Sequence, residues 1–278
     1  MSLTLSDMAV EVLRTADGRA KTALSHAHAA SWREARAAGA PIAIGHATPP
    51  DRPARPDTPA LLQPRDMPRR GPGSPEGRIA LLHAVAHIEL NAVDLHWDII
   101  ARFAHVPMPA GFYDDWVKAA DEESKHFNLL CDSLEAQGSH YGALPAHDGM
   151  WRAAEDTAGD FMGRLAVVPM VLEARGLDVT PGMIEIFRRA GEKATLAALE
   201  VIYAEEVGHV AYGSKWFNFL CGREDIDPKE AFHALVRKYF HTTLKPPFNE
   251  EKRAEAGLPP DFYWPLTNDD PTDGPKTA

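Results

Sequence analysis

The chain has 278 residues, of which 45% are hydrophobic, so it is long and apolar enough to bury a large core. Its formal net charge of -11 argues against broad electrostatic attraction to nucleic acid or anionic lipid, because both need a surplus of Lys and Arg. Its two cysteines lack a metal-binding spacing, and neither a secretory leader nor a membrane span is recognisable. We therefore expect a soluble, cytoplasmic protein without disulfides.

Residues 1–74 are expected to form an N-terminal appendage. Two helices are predicted over residues 6–14 and 19–38. Prolines recur from residue 39 to 75, and they exclude a sustained helix because proline lacks a backbone donor. We interpret the arginines of this arm as solvated groups on a wrapping loop, with a docking strip for a partner or an anionic substrate as the alternative. These arginines are Arg52, Arg55, Arg65, Arg69 and Arg70.

A four-helix domain is expected over residues 75–222. Ser74 precedes its first helix as a good N-cap, and Gly176 is interpreted as the end of the third helix. A short helix is then expected to open at Pro181 and to break at Gly191. The long helices are predicted over residues 75–103, 113–137 and 150–175, and the fourth is predicted to end near residue 221.

Residues 223–278 form the predicted C-terminal arm. One helix is expected over residues 228–240, followed by a Pro-rich stretch and a polar terminus. The chain is thus divided into residues 1–74, 75–222 and 223–278.

The pattern Glu-x-x-His occurs three times, beginning at Glu123, Glu206 and Glu230. Residues i and i+3 share a helix face, so a carboxylate and an imidazole at this spacing can reach one metal ion. The first two motifs, which end at His126 and His209, lie within apolar stripes at helical spacing, where a charge must be neutralised. The third lies among charged residues, and we discard it.

Two of the other helices each carry one Glu in an apolar stripe, Glu89 and Glu173. Glu89 precedes Glu123 by 34 positions, and Glu173 precedes Glu206 by 33 positions. Two helix pairs that each supply a lone Glu and a Glu-x-x-His motif are typical of a pseudo-twofold dinuclear site.

The predicted metal ligands are Glu89, Glu123, His126, Glu173, Glu206 and His209. Four carboxylates balance two divalent cations, and two imidazoles supply nitrogen. We expect two iron ions, although manganese or a mixed Mn/Fe pair would suit the same donors. The alternative is that the six are buried polar groups that satisfy one another without metal.

This arrangement resembles the ferritin-like di-iron carboxylate superfamily. Within it, the chain is similar to a bacterial family of uncharacterised ferritin-like proteins, and more distantly to the di-iron hydroxylase that acts on modified tRNA. The resemblance rests on residues 75–221, on Glu-Ala-Arg-Gly-Leu-Asp at 173–178, on Tyr-Ala-Glu-Glu-Val-Gly-His-Val at 203–210, and on Met-Pro-Arg-Arg at 67–70. It implies an all-α fold, a ferritin-like four-helix bundle, and the metal.

Three residues are candidates for a supporting role around the metals. Glu205 could orient the opposite histidine, although its neighbourhood leaves this open. His96 and Tyr203 could line the site, and core packing is the alternative for both. A polar, surface-facing edge of the first helix is expected from His83, His87, Asn91 and Asp94.

The function that follows is an oxidoreductase that activates dioxygen at a di-iron or Mn/Fe centre to oxidise an organic substrate. The alternatives are an iron-handling or peroxide-detoxifying protein, and a non-catalytic scaffold with a structural metal pair. A small-molecule substrate or dioxygen and an electron donor are the expected partners. Nucleic acid fits poorly with the acidic charge unless the arginine arm forms a basic patch. No membrane partner is expected, and a homodimer is left open.

Overall fold

The computed structural model describes residues 3–63, 66–68 and 71–268, and this part of the chain is predominantly helical. The prediction of an all-α chain is confirmed. Strand occurs in these ranges only as β1, Leu61–Leu62, and β2, Ala146–His147, which pair in parallel. Within the same ranges, no helix combines the length and the apolar character needed to cross a lipid bilayer.

The chain divides into two compact units. Unit 1 comprises Met1–Arg152 and Ile184–Ile202, and unit 2 comprises Ala153–Met183 and Tyr203–Ala278. The division of the chain at residues 74 and 222 that we expected from the sequence stays a prediction.

Unit 1 contains four helices that lie close to their predicted positions. They are α1, Leu5–Arg14, α2, Gly18–Ala37, α3, Pro75–Arg102, and α4, Ala110–Ala136. The hydroxyl of Ser74 accepts a hydrogen bond from Gly77 N, so it caps α3 as expected. Helix α3 packs along α4, α1 packs on α3, and α2 packs on α4.

The proline-rich arm is held on unit 1 by backbone contacts. Leu5 N donates to Ala43 O, and Ala54 N donates to Leu13 O. Arg102 donates to the carbonyl oxygen of Pro50 at 2.8 Å. The arm therefore covers α1 and one face of α3 through hydrogen bonds that an extended, proline-containing chain can still make.

Two arginines of the arm form ion pairs within unit 1. Arg52 pairs with Asp148, and Arg55 pairs with Asp94 at 2.8 Å. These contacts fix the arm and leave Arg55 only 19% exposed. The other three arginines, Arg65, Arg69 and Arg70, lie outside the described residues.

The predicted single helix over residues 150–175 is wrong, because the segment contains three elements, with a break between the first two. These are α5, Gly149–Asp156, α6, Phe161–Val167, and a π-helix, Val168–Glu173. The helix α7, Ala174–Ala190, continues directly from the π-helix. Such π-segments arise where one extra residue is inserted into a helical turn, and the sequence shows no local signal for them.

Gly176 does not end a helix, and Pro181 does not begin one, since both lie inside α7. Pro181 removes the backbone donor that would reach the carbonyl oxygen of Leu177. Asn249 Nδ2 donates to this oxygen at 3.2 Å instead. A side chain 72 positions away thus replaces the missing helical hydrogen bond, and the helix ends only at Gly191, whose φ is +74°.

The remaining helices follow α7 in order. They are α8, Lys193–Glu224, α9, Pro228–Tyr239, α10, Glu250–Glu255, α11, Pro260–Tyr263, and a 3₁₀ turn, Trp264–Leu266. Helix α9 matches the predicted helix over residues 228–240. The short elements α10 and α11 were not predicted.

Candidate metal centre

Three of the predicted ligands meet in unit 1. Helix α3 supplies Glu89, and α4 supplies Glu123 and His126. His126 Nδ1 lies 3.3 Å from Glu89 Oε2 and 3.2 Å from Glu123 Oε2. One ligand atom from each residue lies within 4.8 Å of the others, and all three residues are buried. These three side chains could hold a metal ion.

The two carboxyl groups of this cluster repel each other when both are ionised. Burial, the charge of Glu123 and a hydrogen bond to Glu123 raise the pKa of Glu89 well above its ordinary value, while His126 acts in the opposite direction. Two carboxylates at this depth need a shared proton or a cation between them, because neither is solvated by bulk water.

A second Glu-x-x-His pair lies in unit 2, on α8. His209 Nδ1 lies 3.2 Å from Glu206 Oε2, the same distance as in the pair of Glu123 and His126. His209 is fully buried, and the side chain of Glu206 is 12% exposed. The two motifs therefore adopt the same local geometry on two different helices.

Glycine at position 176 leaves room for the Glu206 carboxylate. A Cβ atom at Gly176 would lie 3.2 Å from Glu206 Oε1, which is tighter than an ordinary contact. The glycine that the sequence suggested as a helix end is therefore a close-packing position inside α7. This contact brings α7 against the predicted ligand of α8 within unit 2.

Glu173 is the last residue of the π-helix and is buried, with 4% of its surface exposed. Among the described residues, it is not part of a metal-ligand group of three or more side chains. Its assignment as a ligand stays a prediction.

The three supporting residues take different positions. His96 is buried, and its ring centroid lies 5.2 Å from that of Trp116. The hydroxyl of Tyr203 accepts a hydrogen bond from Asn249 Nδ2 at 2.7 Å, so it belongs to the contact that supports α7. Glu205 is partly buried on α8. Roles for these residues at a metal stay predictions.

The discarded third motif does not form a cluster of ligands. Glu230 is exposed, and His233 Nε2 donates to the carbonyl oxygens of Asp261 and Phe262 at 3.1 and 3.0 Å. A nitrogen that carries this proton cannot ligate a metal.

The polar edge of α3 is buried, so our expectation that it faces solvent is wrong. Asp94 accepts from Lys21 at 2.5 Å and pairs with Arg55, and the Asn91 amide oxygen accepts from Arg55 at 2.7 Å. His87 Nδ1 lies 2.8 Å from the hydroxyl of Tyr141. The sequence could not show this, because the covering arm and loop are distant along the chain.

Two histidines of this edge are held in the neutral form. Burial, and then the neighbouring His140, lower the pKa of His83 to about 4. Burial is also the main reason that the pKa of His87 is lowered to about 3. His83 Nε2 accepts a hydrogen bond from Gly142 N at 2.9 Å, which only an unprotonated nitrogen can do.

Comparison with known proteins agrees with the uncharacterised family suggested by the sequence. Residues 14–264 match the family described as "Protein of unknown function (DUF455)". A Haemophilus influenzae protein described as "Uncharacterized protein" is 40% identical over 210 residues, which cover 74% of this chain and 73% of that relative. No solved structure matches the chain. The chain therefore belongs to the DUF455 family, whose function is unknown.

Proposed function

We propose that the protein is an oxidoreductase that uses two iron ions, or a mixed Mn/Fe pair, with dioxygen to oxidise an organic substrate. The observation that carries the proposal is the buried cluster of Glu89, Glu123 and His126, whose ligand atoms converge within 4.8 Å. The fold that we propose around it is a ferritin-like four-helix bundle.

The donor atoms of the cluster fit these metals. Carboxylate oxygen and imidazole nitrogen suit iron and manganese, whereas softer metals favour thiolates. Both cysteines are buried, and burial raises the pKa of Cys131 to about 12 and that of Cys221 to about 11. Among the described residues, neither cysteine belongs to a group of side chains that could hold a metal ion.

The charge of the cluster also fits a divalent cation. Glu89 and Glu123 bring two negative charges into a buried setting, and one divalent ion would neutralise them. His126 presents Nδ1 to both carboxylates, so this nitrogen is the one that a shared cation would meet.

The second half of the proposed centre consists of Glu173, Glu206 and His209. Its support is the repeated geometry of the two Glu-x-x-His pairs, each with 3.2 Å between Nδ1 and Oε2. The sequence spacings of 34 and 33 positions support it independently. In this proposal each half supplies two carboxylates and one imidazole.

The protein's own contribution is to position the donors and exclude bulk water. The metal pair, when bound, would supply the electron transfer to dioxygen. The buried carboxylates would hold the metals, and the two neutral imidazoles would add no charge. A dry setting strengthens each of these interactions, because the local dielectric constant is low.

Iron loading in the absence of air tests the function. Protein loaded with excess ferrous iron is then exposed to air, and the ferric iron retained after gel filtration is counted. We expect a plateau near two irons per chain, because an oxidase centre stops once its own irons are oxidised. Retention of tens of irons per chain would establish iron handling instead, and absence of bound metal in folded protein would overturn the site itself.

A further inference from the structure

A cavity of about 220 Å³ lies within unit 2, beside the π-helix. Its lining combines two kinds of side chain. Leu172, Phe240 and Phe248 are apolar, and Arg175, Lys245 and Arg253 are basic. A concave site with an apolar wall and a few convergent polar groups is the usual form of a small-molecule site.

Arg253 is the most constrained of the basic residues, with only 2% of its surface exposed. Its Nε and Nη2 donate to Asp178 at 2.9 and 2.7 Å, and its guanidinium lies 4.9 Å from the centre of the Phe248 ring. Within the described part of the chain, its buried Nη1 has no hydrogen-bond acceptor. Buried charged donors are rarely left in this state, so an acceptor from outside the chain would complete the site.

The charge of the cavity is positive. Asp178 lies behind the lining and contacts both Arg253 and Arg175, and it also accepts a hydrogen bond from Asn249 N. One carboxylate thus faces two guanidinium groups, and the exposed Lys245 adds a third cation. Among the described residues that line the cavity, none is Asp or Glu. This local surplus of positive charge contrasts with the net charge of -11 for the whole chain.

We propose that this cavity binds a small organic carboxylate with a hydrocarbon body. The carboxylate meets the basic residues and accepts a charge-assisted hydrogen bond from Nη1 of Arg253, whose other two nitrogens donate to Asp178. The hydrocarbon body lies against Leu172, Phe240 and Phe248. An alcohol of the same length fills the apolar part equally well but leaves the cations uncompensated. The site is distinct from the proposed metal centre, because none of the six proposed ligands lines it.

The size of the cavity sets the range of ligands to test. Phe240, Thr242 and Thr243 also line a second cavity, of about 350 Å³, within unit 2. A longer hydrocarbon chain could continue along these shared residues. A series of linear n-alkanoates from butanoate to decanoate therefore covers the first cavity alone and an extension into the second.

The experiment is isothermal titration of the full-length protein, as purified, with each n-alkanoate and with the n-alkanol of equal length. We expect saturable binding of at least one alkanoate, roughly tenfold or more tighter than its alcohol, because a charged hydrogen-bonding group is lost in the alcohol. Lys245→Met is expected to weaken this binding about fivefold or more. The matched control is Lys229→Met, which changes an exposed lysine on α9. We expect this variant to leave the alkanoate affinity unchanged.

Three results would overturn the proposal. These are absence of saturable binding for every alkanoate, equal affinity for acid and alcohol, and equal effects of Lys245→Met and Lys229→Met. His126→Ala is expected to keep alkanoate binding, which separates this site from metal coordination. If His126→Ala abolished alkanoate binding and Lys245→Met left it unchanged, the ligand would lie on the metals. This result would also overturn the proposal.

Discussion

Lys21 and Asp94 form a 2.5 Å ion pair in which neither side chain is exposed to solvent. Asp94 also pairs with Arg55, so one buried carboxylate neutralises two cations. Asp94→Asn leaves these cations facing each other, and we expect it to lower the free energy of unfolding by about 3–5 kcal/mol. Lys21→Met leaves a balanced pair and is expected to cost less, about 1–3 kcal/mol. Urea unfolding measures both.

The control for the buried pair is an exposed one in the same unit. Arg19 pairs with Asp132 at 2.5 Å, and Arg19 is 43% exposed. Arg19→Met is expected to cost no more than about 1 kcal/mol, because solvent screens such pairs. An Asp94→Asn cost no larger than that of Lys21→Met would contradict the role we assign to Asp94.

The stability of the protein should depend on His83 below neutral pH. Because burial lowers the pKa of His83 to about 4, the folded state binds fewer protons than the unfolded state, whose pKa is near 6.5. Its contribution is complete above about pH 6.5 and is lost as the pH falls toward 4. The free energy of unfolding of the wild type should therefore fall between pH 7 and pH 4. In His83→Gln we expect this fall to be smaller by about 1–3 kcal/mol.

Urea unfolding at a series of pH values measures this difference. The matched control is His241→Gln, since His241 is 75% exposed. Parallel pH profiles for the wild type and His83→Gln would show that His83 is not held neutral by the fold.

Metal content should respond to two of the three Glu-x-x-His motifs. His126→Ala and His209→Ala each remove a buried ligand, and we expect each to lower the content from about two ions per chain to one or fewer. His233→Ala is expected to keep full occupancy, because His233 donates to backbone carbonyls. Elemental analysis after gel filtration measures the content, and equal losses from all three variants would refute the assignment.

Gly176 should tolerate a side chain less well than Gly182, which lies on the same helix. Alanine is better than glycine in a helix by about 1 kcal/mol, and a Cβ at Gly182 would meet no atom within 4 Å. A Cβ at Gly176 would lie 3.2 Å from Glu206 Oε1. We expect Gly182→Ala to stabilise the protein and Gly176→Ala to fall short of it by about 1 kcal/mol.

Thermal unfolding in the presence of chelator compares the two glycine variants without any effect of metal. An equal gain in stability from both would show that the Glu206 side chain moves away at no cost.

Local signals in the sequence predicted much of the helical structure and part of the candidate site. Helical periodicity identified Glu89, Glu123, His126 and His209 as buried, because a polar side chain within an apolar stripe shares the burial of its neighbours. The N-cap at Ser74 was also predicted correctly, as the hydrogen bond from Gly77 N to its hydroxyl shows. Both signals involve residues within a turn or two of each other, where spacing alone fixes the geometry.

Contacts between distant segments decided the rest. Pro181 lies inside α7, where Asn249 donates to the carbonyl oxygen that proline leaves unpaired, and Gly176 also lies inside α7, with the Glu206 carboxylate close against it. The polar edge of α3 is buried because Lys21 and Arg55 neutralise Asp94 from another helix and from the arm. Proline, glycine and aspartate each have a strong local preference worth a few kcal/mol at most, and a single tertiary hydrogen bond or ion pair of similar size is enough to reverse it.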